Sequence, residues 1–155
     1  MTVNISKATE GDIPGIAEIA RESFPDPWSE EGFRAELSRK AAIFLAARDE
    51  KGSVIGFISG DVEDVSAGYI ADIAVAPHAR RQGTAAALLR EFRKSLPIHT
   101  ESITLEVRAG NTAARRLYER EGFRSIGVRK RFYGAVPGIC EPEDAVVMEK
   151  IIVGR

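Results

Sequence analysis

Apolar and polar residues follow one another along this chain in blocks that predict a regular series of strands and helices. Segments 13–24 and 85–92 carry apolar residues at helical spacing, which is typical of helices with one buried face. Runs rich in β-branched and apolar residues between turn-forming clusters predict strands. The predicted order is β-α-α-β-β-β-α-β-α-β-β, an α/β (mixed α+β) fold whose sheet contains parallel and antiparallel strands.

The predicted boundaries come from local signals at the ends of each block. A capping-box pattern at 9–12 opens the first helix, and Ser29 is the expected N-cap of the second, with Trp28 and Phe33 as a hydrophobic staple. Gly122 is the expected C′ residue of the last helix. Strands are predicted at 3–8, 43–48, 54–62, 69–75, 102–108, 123–131 and 145–152, and the later helices at 83–95 and 112–121.

Composition limits the class of protein. The chain has 155 residues, is 44% hydrophobic and carries a net charge of −1, which predicts one domain, 1–155, and no nucleic acid as partner. A basic cluster at 124–131 is interpreted as a solvated edge strand. No apolar run approaches the roughly 20 residues of a membrane helix and the N-terminus lacks a signal-peptide layout, so we expect a cytoplasmic protein without a membrane partner.

Cysteine and histidine chemistry receives little support from the sequence. Cys140 is the single cysteine, so an intrachain disulfide is excluded, and a nucleophilic thiol would need a base. His78 and His99 are isolated from acidic residues at ligand spacing, and we interpret them as turn and loop residues. No metal site is predicted.

The segment 73–85 carries the clearest chemical signal. An apolar strand runs into a turn of Arg80, Arg81, Gln82 and Gly83, and a helix follows. The first amides of a helix have no partner within it, and its N-terminus carries partial positive charge, so the turn is suited to an anion such as a pyrophosphate. An ordinary strand-to-helix connection with two solvated arginines is the alternative.

This turn resembles a motif of a known family. Arg80-x-x-Gly83-x-Ala85 is similar to the acyl-CoA signature Q/R-x-x-G-x-G/A of the GCN5-related N-acetyltransferases. Further likeness lies in Leu105-Glu106-Val107-Arg108, Tyr118-Glu119 with Gly122-Phe123, Pro27-Trp28-Ser29 and Glu143-Asp144-Ala145. The order of elements is also similar, and within the family the RimI-type enzymes, which acetylate the N-terminal alanine of a ribosomal protein, are the most alike. Asp72, where relatives often have Asn, and the segment 134–142 depart from the pattern.

The resemblance implies the chemistry of individual residues. Acetyl-CoA would be held by Ile73, Ala74 and Val75 through backbone groups freed by a bulge, by the turn residues including Thr84 and Ala85, and by Asn111 and Tyr118. Glu106 would be the base, since strand alternation places it away from the apolar side, and an ion pair with Arg108 is the alternative. Tyr118 would protonate the leaving thiolate, with core packing as its alternative.

Three classes of function are compatible with these residues. The resemblance implies a protein or peptide N-terminus, with a ribosomal protein as one candidate, and Trp28 and Tyr133 as substrate-binding residues. A small-amine acetyltransferase acting on a polyamine or antibiotic, and a non-catalytic acyl-CoA sensor, remain alternatives. The sequence is compatible with a monomer or a homodimer.

Overall fold

A computed structural model describes residues 3–64 and 66–152, and within them it has seven strands and four α-helices. The predicted mixed α/β class and the order of elements are confirmed. The strands are β1 (Asn4–Lys7), β2 (Ala42–Arg48), β3 (Val54–Asp64), β4 (Ala67–Val75), β5 (Ser102–Arg108), β6 (Arg124–Tyr133) and β7 (Glu143–Ile151), and the helices are α1 (Ile13–Ser23), α2 (Glu30–Ser38), α3 (Thr84–Ser95) and α4 (Thr112–Arg120).

The strands form one mixed sheet in the order β1-β2-β3-β4-β5-β7-β6. β1 with β2, β2 with β3, β5 with β7 and β6 with β7 are antiparallel, whereas β4 and β5 are parallel. The β4–β5 ladder runs from Ala67 opposite Ser102 to Ile70 opposite Leu105. Glu106 is therefore the first residue of β5 beyond that ladder.

The chain divides into two compact units. One consists of Met1–Asp61 and Ala71–Ser95, and the other of Val62–Ile70 and Leu96–Arg155. The single domain predicted for 1–155 stays a prediction, and residues 1, 2, 65 and 153–155 of that range lie outside the described residues.

The first unit is built around aromatic side chains. Phe33 of α2 is fully buried, and its ring lies 5.4 Å from that of Phe57 and 6.0 Å from that of Phe44, centroid to centroid. The apolar faces predicted for two helices are buried as expected. The buried residues are Ile13, Ile16, Ala17 and Ala20 on α1 and Leu88, Leu89 and Phe92 on α3. Phe24 and Ala85, predicted on the same two faces, are half-buried.

The second unit takes its core from alternate residues of β5. Ile103, Leu105 and Val107 are buried, as the predicted alternation requires, while the residues between them face the other side of the strand. Met148 of β7 pairs with Leu105 in the ladder and is also buried. Glu106 consequently stands on the polar face of a strand whose other face is anchored in the core.

Three of the predicted end signals are confirmed. Ser29 accepts a 3.2 Å hydrogen bond from the Gly32 amide, the Trp28 and Phe33 rings lie 5.5 Å apart, and Gly122 has φ of 95° after α4. The 9–12 pattern instead opens a short 3₁₀ turn, Glu10–Asp12, that leads into α1.

Among the boundaries that differ from the prediction, three have identifiable reasons. α3 begins at Thr84 because Gly83 is in a left-handed conformation. β6 continues to Tyr133 and β7 begins at Glu143, because these two residues pair in the β6–β7 ladder.

Candidate active site

The turn that precedes α3 lies in the first unit and is held by Arg80. Its Nε donates a 2.9 Å hydrogen bond to the carbonyl oxygen of Val75, and its Nη2 donates at 3.3 Å to the hydroxyl of Ser23. Arg80 therefore fixes the turn to the end of β4 and of α1. Arg81 and Gln82 are exposed, and their side chains supply charge and polarity at the surface of the turn.

The backbone of this turn is bent twice into the left-handed region. Arg81 has φ of 63° and Gly83 has φ of 82°. A Cβ added to Gly83 would have no atom within 4 Å, so the glycine is required by its backbone conformation and not by a close approach of protein atoms. A non-glycine residue with positive φ costs free energy, and such residues concentrate at ligand-binding turns.

The start of α3 is suited to a negatively charged ligand. The Gly83 carbonyl accepts the first helical hydrogen bond, from the Ala87 amide at 3.0 Å, so the amides before Ala87 point out of the helix end. Thr84 is 2% exposed and its hydroxyl has no hydrogen-bond partner among the described residues. A buried unpaired hydroxyl at a helix N-terminus fits a site completed by phosphate oxygens, such as those of acetyl-CoA. Ala85 is half-buried beside it.

The strand end before this turn is tightly packed. Ala74 and Val75 are buried, and Ile73 is half-buried. A Cβ on Gly56 would lie 3.1 Å from the Ala74 carbonyl oxygen, so the two backbones approach closely here. The predicted bulge and the predicted contact of residues 73–75 with acetyl-CoA stay predictions.

Glu106 lies in the second unit with both carboxylate oxygens in contact with side chains. The Tyr69 hydroxyl donates a short hydrogen bond to Oε1, and the Arg129 Nε lies 3.6 Å from Oε2. The carboxylate is 8% exposed. The alternative pairing with Arg108 is wrong, because Arg108 pairs with Glu143 at 3.3 Å.

Tyr69 is a site residue that our sequence reasoning missed. Burial, and secondly the hydrogen bond to Glu106, raise the pKa of the Tyr69 phenol well above its usual value. The phenol is therefore protonated at neutral pH and acts as the donor in this pair. Tyr69 stands opposite Thr104 in the parallel ladder, and Thr104 shares a strand face with Glu106, so a correct register would have revealed the contact.

Asn111 and Tyr118 occupy different environments on α4. The Asn111 side chain caps the helix, with Oδ1 accepting a 3.2 Å hydrogen bond from the Ala114 amide. Tyr118 is 7% exposed, and its ring lies 5.9 Å from that of Phe123. The packing of Tyr118 agrees with the core alternative. The role of Tyr118 as a general acid and the contact of Asn111 with acetyl-CoA both stay predictions.

Trp28 borders a cavity of about 380 Å³ along α2 in the first unit. The ring is 42% exposed, so its outer face is available although its inner face packs on Phe33. At the other end of the cavity, Glu36 accepts a 2.6 Å hydrogen bond from the Ser59 hydroxyl and one of 2.7 Å from Arg39. The cavity is thus mainly apolar with a fixed carboxylate in its wall.

Asp72, on β4, is a carboxylate with a raised pKa. Burial, and secondly the negative charge of Glu36, raise the pKa of the half-buried Asp72 to about 6. Near neutral pH this carboxylate is ionised at a cost to stability. Its position in the family pattern marked Asp72 as a departure, but no local pattern predicted that its side chain would be buried.

Tyr133 lies in the second unit beneath an arginine. The Arg108 guanidinium carbon is 4.2 Å from the Tyr133 ring centroid, and the Phe132 ring meets the Tyr133 ring edge-on at 5.1 Å. Two carboxylates of the neighbouring acidic segment have partners inside the chain. Glu143 pairs with Arg108, and Asp144 accepts a 2.8 Å hydrogen bond from the Arg131 amide.

Among residues 3–64 and 66–152, no group of three or more histidine, cysteine, aspartate or glutamate side chains is placed to hold a metal ion. In the same residues, no helix is both long enough and apolar enough to cross a membrane. Cys140 is half-buried in a turn closed by backbone hydrogen bonds with Val136. His78 lies in the 3₁₀ turn Pro77–Ala79, and both histidines are exposed.

Known proteins resemble the chain over nearly its whole length. A sequence profile of the acetyltransferase (GNAT) family matches residues 13–123. The ribosomal protein bS18-alanine N-acetyltransferase of Escherichia coli (strain K12) is 30% identical over 145 residues, 93% of this chain and 94% of that protein. The crystal structure of the ribosomal-protein-S18-alanine N-acetyltransferase from Escherichia coli has a TM-score of 0.83 at 28% identity, with 99% of this chain and 96% of that chain covered.

Two further relatives extend the comparison. The N-alpha-acetyltransferase of Sulfurisphaera tokodaii is 29% identical over 157 residues, 93% of this chain and 90% of that protein. Arabidopsis thaliana NAA60, solved in complex with acetyl-CoA, has the same fold, with a TM-score of 0.84 at 23% identity over 99% of this chain and all of that one. The profile match and the identity shared with the Escherichia coli enzyme establish that the chain belongs to the acetyltransferase (GNAT) family and is an acetyl-CoA-dependent N-acetyltransferase.

Proposed function

We propose that this enzyme acetylates the N-terminal α-amine of a protein or peptide, with Glu106 as the group that accepts the amine proton. The observation that carries the proposal is the Glu106 carboxylate, which is 8% exposed and hydrogen-bonded to Tyr69 on the polar face of β5. Relatives that act on protein N-termini, one on ribosomal protein bS18 and one named an N-alpha-acetyltransferase, support the acceptor class. A ribosomal protein is one candidate acceptor.

Glu106 has the chemistry that the reaction needs. An α-amine titrates at about 7.7–8.0, so it is mainly cationic at neutral pH and cannot attack a thioester until it loses a proton. Glu106 receives that proton, either directly or by transfer through the Tyr69 hydroxyl, whose own proton then passes to Oε1. The hydrogen bond from Tyr69 also fixes the orientation of the carboxylate.

Several residues of this chain are assigned to acetyl-CoA in the proposal. Arg81, Gln82, Gly83 and the amides of the first turn of α3 bind the pyrophosphate, and the Thr84 hydroxyl donates to it. These assignments are supported by the two positive φ angles and the unpaired hydroxyl. In the proposal, Asn111 contacts the pantetheine end and Tyr118 protonates the departing thiolate, since a phenol can donate a proton.

The acceptor peptide in this proposal contacts Trp28 and Tyr133. Trp28 is 42% exposed beside its cavity, and Tyr133 is half-buried beneath Arg108 at the end of β6. An α-amine sits on the backbone itself, so an enzyme that selects it must bind the first peptide bonds as well as the amine. Free lysine and spermidine lack those bonds.

Steady-state kinetics with matched acceptors test the proposal. A peptide that begins Ala-Arg should be acetylated at its α-amine with kcat/KM at least about tenfold above that of spermidine or free lysine. Glu106→Gln should lower turnover by roughly 10²–10⁴-fold, with a smaller deficit as rising pH supplies neutral amine. Tyr118→Phe should lower turnover without recovery at high pH.

The control is Glu149→Gln, which removes one carboxylate from β7 and should leave the kinetics unchanged. A higher kcat/KM for spermidine than for the peptide would replace the peptide acceptor with a small amine. Wild-type turnover in Glu106→Gln at every pH would remove the base assignment.

A further inference from the structure

A cluster of four residues lies where the segment 134–142 joins the sheet. This loop-base cluster consists of Arg108, Gly110, Tyr133 and Glu143. Tyr133 is the last residue of β6, Glu143 is the first of β7, and the two are partners in the β6–β7 ladder. Residues 134–142 connect them, so whatever fixes this pair fixes both ends of the loop.

Arg108 contacts both ends of the loop with one side chain. Its guanidinium lies 4.2 Å from the Tyr133 ring centroid, and its Nη1 donates to Oε1 of Glu143 at 3.3 Å. The side chains of Arg108 and Glu143 are 23% and 33% exposed, so water weakens the pair less than it weakens a fully exposed one. A planar guanidinium can stack on a ring and bond a carboxylate at the same time.

Glu143 also reaches the turn that precedes α4. Its Oε2 accepts a 2.8 Å hydrogen bond from the Gly110 amide, and the next residue, Asp144, accepts one of 3.0 Å at its carbonyl from the Ala109 amide. Asn111 follows and caps α4. A Cβ on Gly110 would lie 3.0 Å from Glu143 Oε2, so this turn and the carboxylate fit closely.

We infer that Glu143 is a positioning residue for acceptor binding, which sets the Tyr133 ring through Arg108 and joins the 134–142 loop to the turn that begins α4. The inference rests on the proposed function, in which Tyr133 contacts the acceptor peptide. Glu143 does not touch the reacting atoms. Removal of the Glu143 carboxylate makes the ends of the 134–142 loop and the Tyr133 ring more mobile. It therefore weakens binding of a peptide without changing the proton transfer at Glu106.

The test separates KM from kcat. Glu143→Ala should raise the KM for the Ala-Arg peptide about tenfold with kcat altered less than about twofold, whereas Glu143→Gln, which keeps an acceptor oxygen, should give a smaller rise. Gly110→Ala keeps every charge and displaces the carboxylate, so it should raise KM as well. The matched control Glu149→Ala removes a carboxylate from the same strand and should leave KM unchanged.

Hydrogen exchange supplies a readout that needs no acceptor. The Gly110 amide and the amides of 134–142 should exchange faster in Glu143→Ala than in wild type, and not in Glu149→Ala. Unchanged KM, equal losses of kcat for peptide and spermidine, or unchanged exchange would overturn the inference. If the wild type prefers spermidine to the peptide, only the proposed function is overturned. The inference about Glu143 depends on differences between variants in amide exchange rates and in the KM for the peptide, and these can be measured whichever acceptor is preferred.

Discussion

Single side chains in this protein have partners that lie far from them in sequence. Glu106 meets Tyr69, 37 positions away, and Arg108 meets Glu143, 35 positions away. The sequence could predict which face of β5 carries Glu106, because alternation is local, but it suggested the nearest charge, Arg108, as its partner. Partners across a sheet depend on register, which a single sequence leaves undetermined.

Asp72 provides a prediction at this scale. Its pKa, raised to about 6 by burial, lies above that of the unfolded chain, so folding is favoured by protonation of Asp72 and this contribution is lost as pH rises through 6. Asp72→Asn removes the ionised group and should raise the free energy of unfolding relative to wild type by about 1–3 kcal/mol at pH 8, with a smaller gain at pH 5. Urea unfolding at the two pH values measures the difference.

Asp64→Asn is the control for this experiment. The Asp64 carboxylate accepts a 2.8 Å hydrogen bond from the Ser66 amide, which lowers its pKa, so Asp64 is ionised at both pH values. Any effect of its replacement should be equal at pH 5 and pH 8. A gain for Asp72→Asn that is the same at the two pH values would show that ionised Asp72 carries no cost.

At the scale of elements, the end signals that were predicted correctly depend on residues close to one another in sequence. The Ser29 cap, the Trp28–Phe33 contact and the positive φ of Gly122 involve residues within five positions of one another. The extension of β6 to Tyr133 has a non-local cause, pairing with Glu143. For the same reason the turn at residues 80–83 was recognisable from sequence, whereas the Tyr69 contact and the loop-base cluster were not.

The turn before α3 gives a prediction about ligand binding. CoA at about 100 times its dissociation constant should stabilise the fold by about 2.7 kcal/mol and raise Tm by about 5–10 °C. Gly83→Asp should abolish that rise, because it places a carboxylate where the pyrophosphate belongs. Differential scanning fluorimetry with and without CoA measures the shift.

Gly83→Ala separates backbone strain from charge in the same experiment. The methyl group has open space around it but must adopt φ near 82°, so Tm without CoA should fall while the rise with CoA persists. An undiminished CoA response in Gly83→Asp would argue against binding at this turn.

At the scale of the whole molecule, the boundaries of the two units fall inside β3 and β4. A strand hydrogen-bonds along its length, so a division within two strands argues that the units unfold together, which is the behaviour expected of one domain. We therefore predict a single cooperative transition.

Aromatic residues make that prediction measurable. The one tryptophan, Trp28, belongs to the first unit, and the three tyrosines, Tyr69, Tyr118 and Tyr133, belong to the second. Tryptophan emission and the tyrosine band of the near-ultraviolet circular dichroism spectrum should give the same urea midpoint. Separate midpoints would mean that the chain contains two folding units.

The edge strand β6 bears on whether molecules of this protein aggregate in concentrated solution. β6 has one neighbouring strand among the described residues, and it exposes Ile126 and Val128. It is also interrupted by two register shifts, bent by Arg131 at φ of 52° and lined with basic side chains. Such an edge is a poor template for a strand of another molecule. We therefore expect that concentrated preparations do not form fibres by adding strands to this edge.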